Sequence, residues 1–442
     1  MVWSHAFSLF RRYPVVILPV RISLLLLLTG FEVQAASPTF HKDILPIFQK
    51  HCQSCHRPGE IAPMPFLTYQ QVRPWAKSIR QSVKLKQMPP WFADPHFGKF
   101  INDSSLTEEE IAIITQWVDN GAPAGKTSDA PPPVQWQTGW KIRPDLILEM
   151  PQKFSIPAGA EIDYQYLILP WKSQSGETQE DRWVSGVQIL PGDRRVVHHA
   201  VLYVREKDSP WLRDVASGRM YAPPQGDGNA RIRSRDTRED ILSVYTPGAS
   251  VNNFPQGMAK KIPAGADLVL QLHYTSLAKE NAWDQTKIAL TWTTRPQKRL
   301  LTLQMGKDDL RIPPGDRNYY ATVSGTLPND ALLISLFPHM HLRGKAFDFE
   351  IVESGGRVEP LLKVKQFDLN WQLSYILQQP RFLPKGTRLQ WTGYFDNSAA
   401  NPNNPDPEAE VRWGEQSWEE MMIGFFDIAV DPDIDKKQFF IR

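Results

Sequence analysis

Residues 262–274 have the sequence IPAGADLVLQLHY, in which a proline- and glycine-containing turn precedes a run of alternating apolar residues that reaches His273. Alternation with a period of two is typical of a β-strand with one buried face. Similar turns occur at 156–159 and 312–315, each beside short apolar runs. The chain beyond about residue 145 is therefore predicted to be an all-β body of antiparallel strands.

From Lys126 onward the sequence has only five histidines, each in a strand-like segment: His198, His199, His273, His339 and His341. The spacing of His339 and His341 places both imidazoles on one face of a strand, as a shared metal requires. His198 and His199 are adjacent, so joint ligation needs a β-bulge or a strand end. His273 ends its strand where it could join that pair. A packing role is the alternative for any single histidine, but the grouping indicates metal ligands.

The surroundings of these histidines indicate which metal they would bind. Beyond Lys126 there is no cysteine, no H-x-D motif and no HExxH motif, which leaves imidazole and thioether groups as ligands. A thioether favours Cu(I), and Met421 and Met422 can each supply one. The sequence therefore favours copper over zinc.

The two cysteines of the chain lie in one motif, Cys52-Gln53-Ser54-Cys55-His56. Two thiols on one helical turn can reach both vinyl groups of a haem, and the histidine that follows can bind its iron. The alternatives are half of a zinc site, which needs further thiols or histidines, and a thioredoxin-type pair, which needs a βαβ context. The motif favours one covalently attached haem c bound by Cys52, Cys55 and His56.

Helical signals on both sides of this motif predict a small all-α, c-type cytochrome domain over residues 38–124. Ile44, Leu45 and Phe48 form an apolar stripe that leads into the motif. A second helix is predicted to follow Thr107, with which Glu110 forms a capping box.

The sixth ligand of the haem iron should be a methionine or a histidine, and the candidates after the motif are Met64, Met88 and His96. Met88 is favoured because it lies in a proline-rich loop with enough preceding chain to wrap the haem. The alternative is that Met88 only packs.

Residues 1–35 are predicted to be a secretory signal peptide. Three arginines precede an apolar stretch at 22–31, and Val33-Gln34-Ala35 offers a cleavage site. The stretch is about half of the roughly 20 residues that a spanning helix needs, so no stable membrane insertion is expected, with an uncleaved anchor as the alternative. The protein is therefore expected to be exported, either periplasmic or secreted.

A chain of 442 residues is too long for one hydrophobic core, so several domains are expected. The polar, proline-rich segment 125–144 is predicted to be a linker. Without residues 1–35 the formal net charge is zero, which argues against nucleic acid as a partner because binding to phosphates needs excess Lys and Arg. A small molecule is the expected partner.

Four elements follow one another in an order that is informative as a set: Val197-His198-His199, Leu272-His273-Tyr274, HMHLRGK at 339–345 and Glu420-Met421. Together they resemble the ascorbate-dependent type II copper monooxygenases, which include peptidylglycine and dopamine hydroxylases. The resemblance spans roughly residues 145–440. It implies two consecutive antiparallel, jelly-roll-like β-sandwiches, at 145–300 and 301–442, with one copper on each.

The resemblance also implies a division of roles between two copper ions. His198, His199 and His273 would hold an electron-storing copper. The catalytic, oxygen-activating copper would be held by His339, His341 and Met421, with Met422 as the competing thioether.

Two departures from that family limit the comparison. The animal hydroxylases are disulfide-rich, whereas this body has no cysteine. The peptide-amidating enzymes hold their substrate with an arginine and a tyrosine where this chain has Phe337 and Phe425. A glycine-extended peptide is therefore not the expected substrate, and the two phenylalanines hint at an apolar one.

The expected function is hydroxylation of a C–H bond of a small organic substrate with dioxygen. The helical segment resembles small cytochromes that are fused before such domains in bacteria, and it would receive electrons from an external donor. The alternatives are a non-catalytic periplasmic electron-transfer or copper-binding protein, and a binding module with structural histidines.

Overall fold

Short helices occupy the N-terminal part of the chain and strands occupy the rest, in a computed structural model that describes residues 37–171, 180–223, 239–247 and 252–436. The predicted signal peptide lies outside the described residues. The helices are a π-helix at Phe40–Ile44, α1 (Leu45–His51), α2 (Tyr69–Val72), α3 (Ala76–Lys84), α4 (Glu108–Asp119) and 3-10 turns at Arg73–Trp75 and Thr127–Asp129. No helix within these ranges has the length and apolar character needed to cross a membrane.

Helix α4 begins where the capping box predicts. The Thr107 hydroxyl accepts the Glu110 amide, and the Glu110 carboxylate accepts the Thr107 amide. Ile114 and Trp117 of this helix pack with Phe40 and Phe48 in a small core that belongs to the helical segment alone. Residues 130–145, within and just after the predicted linker, contain no helix or strand.

The first β-sandwich is built from twelve strands: β1 (Leu146–Glu149), β2 (Phe154–Ile156), β3 (Gln165–Ile168), β4 (Arg182–Leu190), β5 (Val197–Arg205), β6 (Met220–Tyr221), β7 (Glu239–Tyr245), β8 (Asn252–Asn253), β9 (Met258–Ile262), β10 (Asp267–Tyr274), β11 (Ala282–Asp284) and β12 (Lys287–Thr293). One layer has the order β1-β12-β4-β9, and the facing layer has the order β6-β3-β10-β5-β7. Val187 and Ile288 of the first layer meet Leu202 and Leu270 of the second in the core.

The second β-sandwich contains ten strands: β13 (Lys298–Gly306), β14 (Arg311–Ile312), β15 (Tyr319–Thr326), β16 (Ala331–Met340), β17 (Gly344–Val352), β18 (Val358–Val364), β19 (Tyr375–Leu383), β20 (Arg388–Phe395), β21 (Val411–Arg412) and β22 (Met422–Val430). Its layers have the orders β13-β22-β16-β19 and β15-β20-β17-β18. Leu333 and Phe426 face Phe349 and Trp391 across its core. The predicted β-rich body is confirmed.

One sheet runs through both sandwiches. Strands β9 and β13 pair in parallel, with Lys298 opposite Met258 and Arg299 opposite Ala259. The ammonium group of Lys260 is buried beside this junction, where it donates to the Ile241 carbonyl at 2.8 Å and to the Thr302 hydroxyl at 2.6 Å. These bonds satisfy a charge that would otherwise be costly to bury.

Residues 91–102 depart from the expected haem domain at 38–124. This segment, termed the strap, packs on the second sandwich rather than on the helical core: Trp91 is buried in the second core, and Phe100 pairs with Leu377. Trp91 and Phe100 both contact the Tyr375 ring, at 4.8 and 5.5 Å between centroids. The strap leaves the helical segment because its aromatic side chains gain a larger apolar surface on the second sandwich.

Candidate metal centres and haem-attachment motif

The first histidine set lies on two neighbouring strands of the first sandwich. His199 on β5 is directly opposite His273 on β10, but the next pair is Tyr274 with Val197, so His198 is the extra residue of a β-bulge. The bulge turns His198 toward the other two rings, as joint ligation requires. One ring nitrogen of each histidine lies within 4.8 Å of the others.

All three rings are held in the neutral form, which is the form that binds metal. Desolvation lowers the pKa of His198, of His199 and of His273, the last to about 3. The Nδ1 atom of His273 is buried and has no hydrogen-bond partner in the described part of the chain. The Tyr164 ring stacks on His273 at 4.7 Å. A buried imidazole with an unpaired nitrogen, beside two further imidazoles, fits a metal ligand.

The second histidine set lies at the end of β16. His339 and His341 point to the same side of the strand, with ring centroids 5.2 Å apart. The Nδ1 atom of His339 is 2.5 Å from Oε1 of Gln372, and Nδ1 of His341 is 3.3 Å from the Glu419 carbonyl. These contacts orient the rings through Nδ1 and leave Nε2 for a metal. The Nε2 atom of His341 is buried and has no partner among the described residues.

The register of β16 and β22 separates the two candidate thioethers. Met340 is opposite Met422, and His339 is opposite Ile423. Opposed residues share a face, so Met422 lies with Met340 in the apolar core, where both are fully buried. Met421 belongs by alternation to the face of His339 and His341. The geometry favours Met421 over Met422 as the third ligand.

The two histidine sets lie close together. The pKa of His199 is lowered first by desolvation and then by other histidines, including His339 and His341 of the second set. The pKa of His341, lowered to about 3, is affected in the same way by His273. A cavity of about 230 Å³ is lined by His273 and Tyr164 of the first sandwich and by residues 416–418 of the second. Both sets therefore belong to one region between the sandwiches.

The CxxCH motif follows directly after helix α1, and Cys52 caps the helix. The Nδ1 atom of His56 is 3.0 Å from the Met64 carbonyl, and the Phe66 ring stacks on the imidazole at 4.1 Å. An Nδ1–H bond to a carbonyl fixes the tautomer that presents Nε2 as a ligand. Burial lowers the pKa of His56, which favours the neutral ring. These residues fit a haem held through both cysteines.

The candidates for the sixth iron ligand lie in different surroundings. His96 is on the strap, with its side chain exposed and its Nδ1 atom 2.7 Å from the Asp94 carboxylate on the second sandwich. Met64 packs against the helical core beside Cys52. Met88 precedes the strap and is half-buried. Met88 stays a prediction, and the position of the strap removes the reason for considering His96.

The turn that carries the CxxCH motif contacts the first sandwich through charged groups. The Glu60 carboxylate binds Arg57 at 2.6 Å and Arg194 at 3.0 Å, and Arg194 precedes the histidine pair on β5 by four residues. The Arg57 guanidinium also lies over the Trp136 ring at 4.9 Å. Arg194 is close enough to Cys55 to influence its pKa, which burial raises. The haem-attachment turn is thereby docked beside the strand of the first histidine set.

Several residues that support the second histidine set were not singled out by the sequence. Gln372 contacts His339, while Arg343 and Asn397 are joined by a 2.9 Å hydrogen bond beside His341. A buried Arg–Asn pair leaves no periodic signal, and Gln372 lies 33 positions after its histidine. Only a three-dimensional arrangement reveals these contacts.

Comparisons with known proteins identify no relative. No family description matches the chain, and no curated protein matches its sequence. Among solved structures, the major capsid protein P2 of bacteriophage PM2 is 8% identical over 64% of this chain and 97% of its own, with a TM-score of 0.25. The cowpea mosaic virus top component is 9% identical over 64% and 90%, with a TM-score of 0.28. Scores this low carry no argument about fold or function.

Proposed function

We propose that the protein is an exported copper-dependent monooxygenase that hydroxylates a C–H bond of a small organic substrate with dioxygen. The helical segment is proposed to be a c-type cytochrome that takes electrons from an external donor. The observation that carries the proposal is the pair of neighbouring histidine sets with unpaired buried ring nitrogens on His273 and His341. The sequence resemblance to type II copper monooxygenases supplies the reaction class.

The donor groups of the two sets suit two different tasks. Three imidazoles from His198, His199 and His273 form a site of nitrogen ligands alone. The set of His339, His341 and Met421 includes a soft thioether, which favours Cu(I). Copper bound in these sets would supply the redox chemistry that activates dioxygen.

The residues of the chain prepare the sites for this chemistry before metal binds. Burial keeps the five imidazoles neutral, so no proton must leave them when a ligand bond forms. Gln372 and the Glu419 carbonyl hold the two rings of the second set in fixed orientations. The low dielectric of the buried region strengthens the electrostatic interactions within it.

An apolar surface adjoins the second set and supports an apolar substrate. The rings of Phe337 and Phe425 are 5.8 Å apart, and Phe425 lies 6.2 Å from the His339 ring. Both side chains are half-buried, so part of each ring remains open. A small molecule with an apolar portion would bury this surface favourably.

The docking of the haem-attachment turn supports electron delivery within the chain. Glu60 and Arg194 bind the turn of Cys55 and His56 to the strand that carries His198 and His199. A donor fixed beside its acceptor acts at high effective concentration and needs no diffusional encounter. The haem, when attached, would supply electrons to the copper region.

The test is elemental analysis of the purified holoprotein together with its visible spectrum and oxygen uptake. We expect about one iron and two coppers per chain, a c-type haem spectrum, and oxygen uptake that depends on added substrate. A small panel of apolar organic compounds is the first set of substrates. Iron without copper would overturn the proposal.

The alternative function is a non-catalytic periplasmic electron-transfer or copper-binding protein, which the docked haem-attachment turn also favours. This alternative predicts the same metal content and reversible redox cycling of haem and copper. It predicts no substrate-dependent oxygen uptake and no hydroxylated product. Product analysis by mass spectrometry with ¹⁸O₂ therefore separates the two functions.

A further inference from the structure

A fully buried carboxylate joins the two chain segments that carry the second histidine set. Oε1 of Glu420 accepts the backbone N–H groups of His341 and Met421, and Oε2 accepts the N–H of Arg343 at 3.0 Å. The bond from Met421 is 2.9 Å long. Glu420 has no exposed surface. The carboxylate therefore binds the backbone of one proposed histidine ligand and of the proposed thioether ligand.

The position of Glu420 is itself fixed by its own backbone. Its N–H donates to the Arg412 carbonyl at 3.1 Å, and its carbonyl accepts the Gly414 N–H at 3.2 Å. The side chain consequently reaches out from a well-held segment to the end of β16. A carboxylate that accepts three N–H groups uses both oxygens, and charge-assisted bonds of this kind are the strong ones.

A second buried group closes the same junction from the other side. The guanidinium of Arg343 donates to Oδ1 of Asn397 at 2.9 Å and to the Trp418 carbonyl at 2.8 Å. Arg343 and Asn397 are both almost entirely buried. The segments 341–343 and 418–421 are therefore joined at both ends, with Glu420 at the end nearer the ligands.

Packing alone does not require a charge at this position. Burying a carboxylate costs free energy, and an apolar or amide side chain of similar volume would fill the same space. No lysine or arginine side chain forms an ion pair with Glu420 among the described residues; its hydrogen bonds there come from backbone amides. The charge is best explained by what those amides belong to.

We propose that Glu420 is the positioning residue of the second metal site, which sets the separation of His341 and Met421 by binding both of their backbone N–H groups. This inference rests on the proposed function, because it assumes that the second histidine set holds copper. Partners behind the direct ligands commonly control metal affinity in this way. Glu420 itself does not bind the metal.

The test is the substitution Glu420→Gln, which preserves the side-chain volume. An amide has one acceptor oxygen and one NH₂ donor, so at least one of the three backbone N–H groups would face a donor. We expect copper affinity at the second site to fall by about 10- to 100-fold, as for other partners behind metal ligands. The first site and the haem spectrum should be unchanged. Copper titration followed by electron paramagnetic resonance distinguishes the two copper signals.

Glu350→Gln is the matched control. Glu350 is also largely buried in the second sandwich, where it accepts hydrogen bonds from Lys363 and Gln390, but it lies on β17, away from the histidines. Both variants should unfold cooperatively, and only Glu420→Gln should lose the second copper signal. Glu420→Asp, which keeps the charge but shortens the reach, provides a second variant if Glu420→Gln does not fold. It should show the same loss, because the shorter side chain cannot reach all three amides.

A measurement without metal keeps the inference separate from the proposed function. In the metal-free protein, hydrogen exchange at the amides of His341, Arg343 and Met421 should be faster in Glu420→Gln than in the wild type and in Glu350→Gln. Unchanged exchange, or a full second copper signal in both Glu420 variants, would overturn the role of Glu420. A wild-type protein that binds no copper would instead overturn the proposed function.

Discussion

The two histidine sets are built in different ways. In the first set, His199 and His273 are neighbours in a regular ladder, and one bulge adds His198. In the second set, the ligands come from separate segments, and their orientation depends on side chains such as Gln372 and Glu420. The first set is therefore positioned by backbone hydrogen bonds and the second by side-chain contacts.

This difference has consequences for how each set responds to change. A sheet ladder distributes its hydrogen bonds over many residues, so loss of one side chain leaves the strands in place. A junction of a few buried side chains fails when one member is removed, because the others are left unsatisfied. We therefore expect the second set to be the more sensitive of the two to mutation of its surroundings.

The largest expected effect comes from removing one ligand from each set. His341→Ala should abolish copper binding at the second site and lower substrate-dependent oxygen uptake by more than about 100-fold, since loss of even a partner behind a ligand costs 10- to 100-fold. His199→Ala should remove copper from the first site only. Copper content and electron paramagnetic resonance of both variants check the assignment.

The haem spectrum serves as the control for both alanine variants, because the haem-attachment turn contacts neither ring. If His341→Ala and His199→Ala each released both coppers, the two sets would behave as one site. The division into two sites would then be wrong.

A smaller effect separates the two methionines. Met421→Leu should lose the thioether and weaken the second copper site by about 10-fold or more while the first site stays intact. Met422→Leu changes a core side chain of similar volume, which should cost less than about 1.5 kcal/mol and leave both coppers bound. Copper titration and thermal unfolding measure the two outcomes. The reverse pattern would reassign the ligand to Met422.

The smallest expected effect concerns the strap and its influence on the second set. Asp94 forms a 2.5 Å ion pair with Lys365, and this contact, with His96, holds the pKa of the Asp94 carboxyl well below its usual range. A lowered carboxyl pKa stabilises the folded state above the unfolded value near 4, and that contribution is lost as the pH falls through the lowered value. Because Lys365 is largely exposed, the pair should contribute about 1 kcal/mol or less.

Asp94→Asn should reproduce at neutral pH what acid does to the wild type. Hydrogen exchange at the amides of Ile101 and Gln378, which bond across the strap, should become faster. Gln372 lies in the loop between the two strands that the strap contacts, so the second copper site should weaken slightly and the first should not. An equal effect on both sites would contradict the comparison.

Local sequence patterns were sufficient to predict much of the first set and of the helices. Adjacent histidines in a strand required a bulge, and the structure has one at His198. The capping box at Thr107 gave the start of α4. These features depend on residues close in sequence, where periodicity and capping rules apply.

Other features could not be predicted because they depend on contacts between distant residues. The parallel pairing of β9 with β13 follows from the packing of two sandwiches, not from either strand alone. The strap was assigned to the haem domain because its prolines and Met88 are close in sequence to the motif. Its aromatic residues instead pack on strands near residue 375, which local patterning does not reveal.

The strap also constrains the order in which the chain can fold. Asn102 donates to the Ser374 carbonyl, a partner 272 positions later, so this contact cannot form until most of the chain has been synthesised. The four helices need only residues close to themselves. Until β18 and β19 form, Trp91 and Phe100 lack their binding surface and remain open to unwanted association. Pro89, Pro90 and Pro95 interrupt this segment and disfavour its pairing as a strand with another chain during that interval.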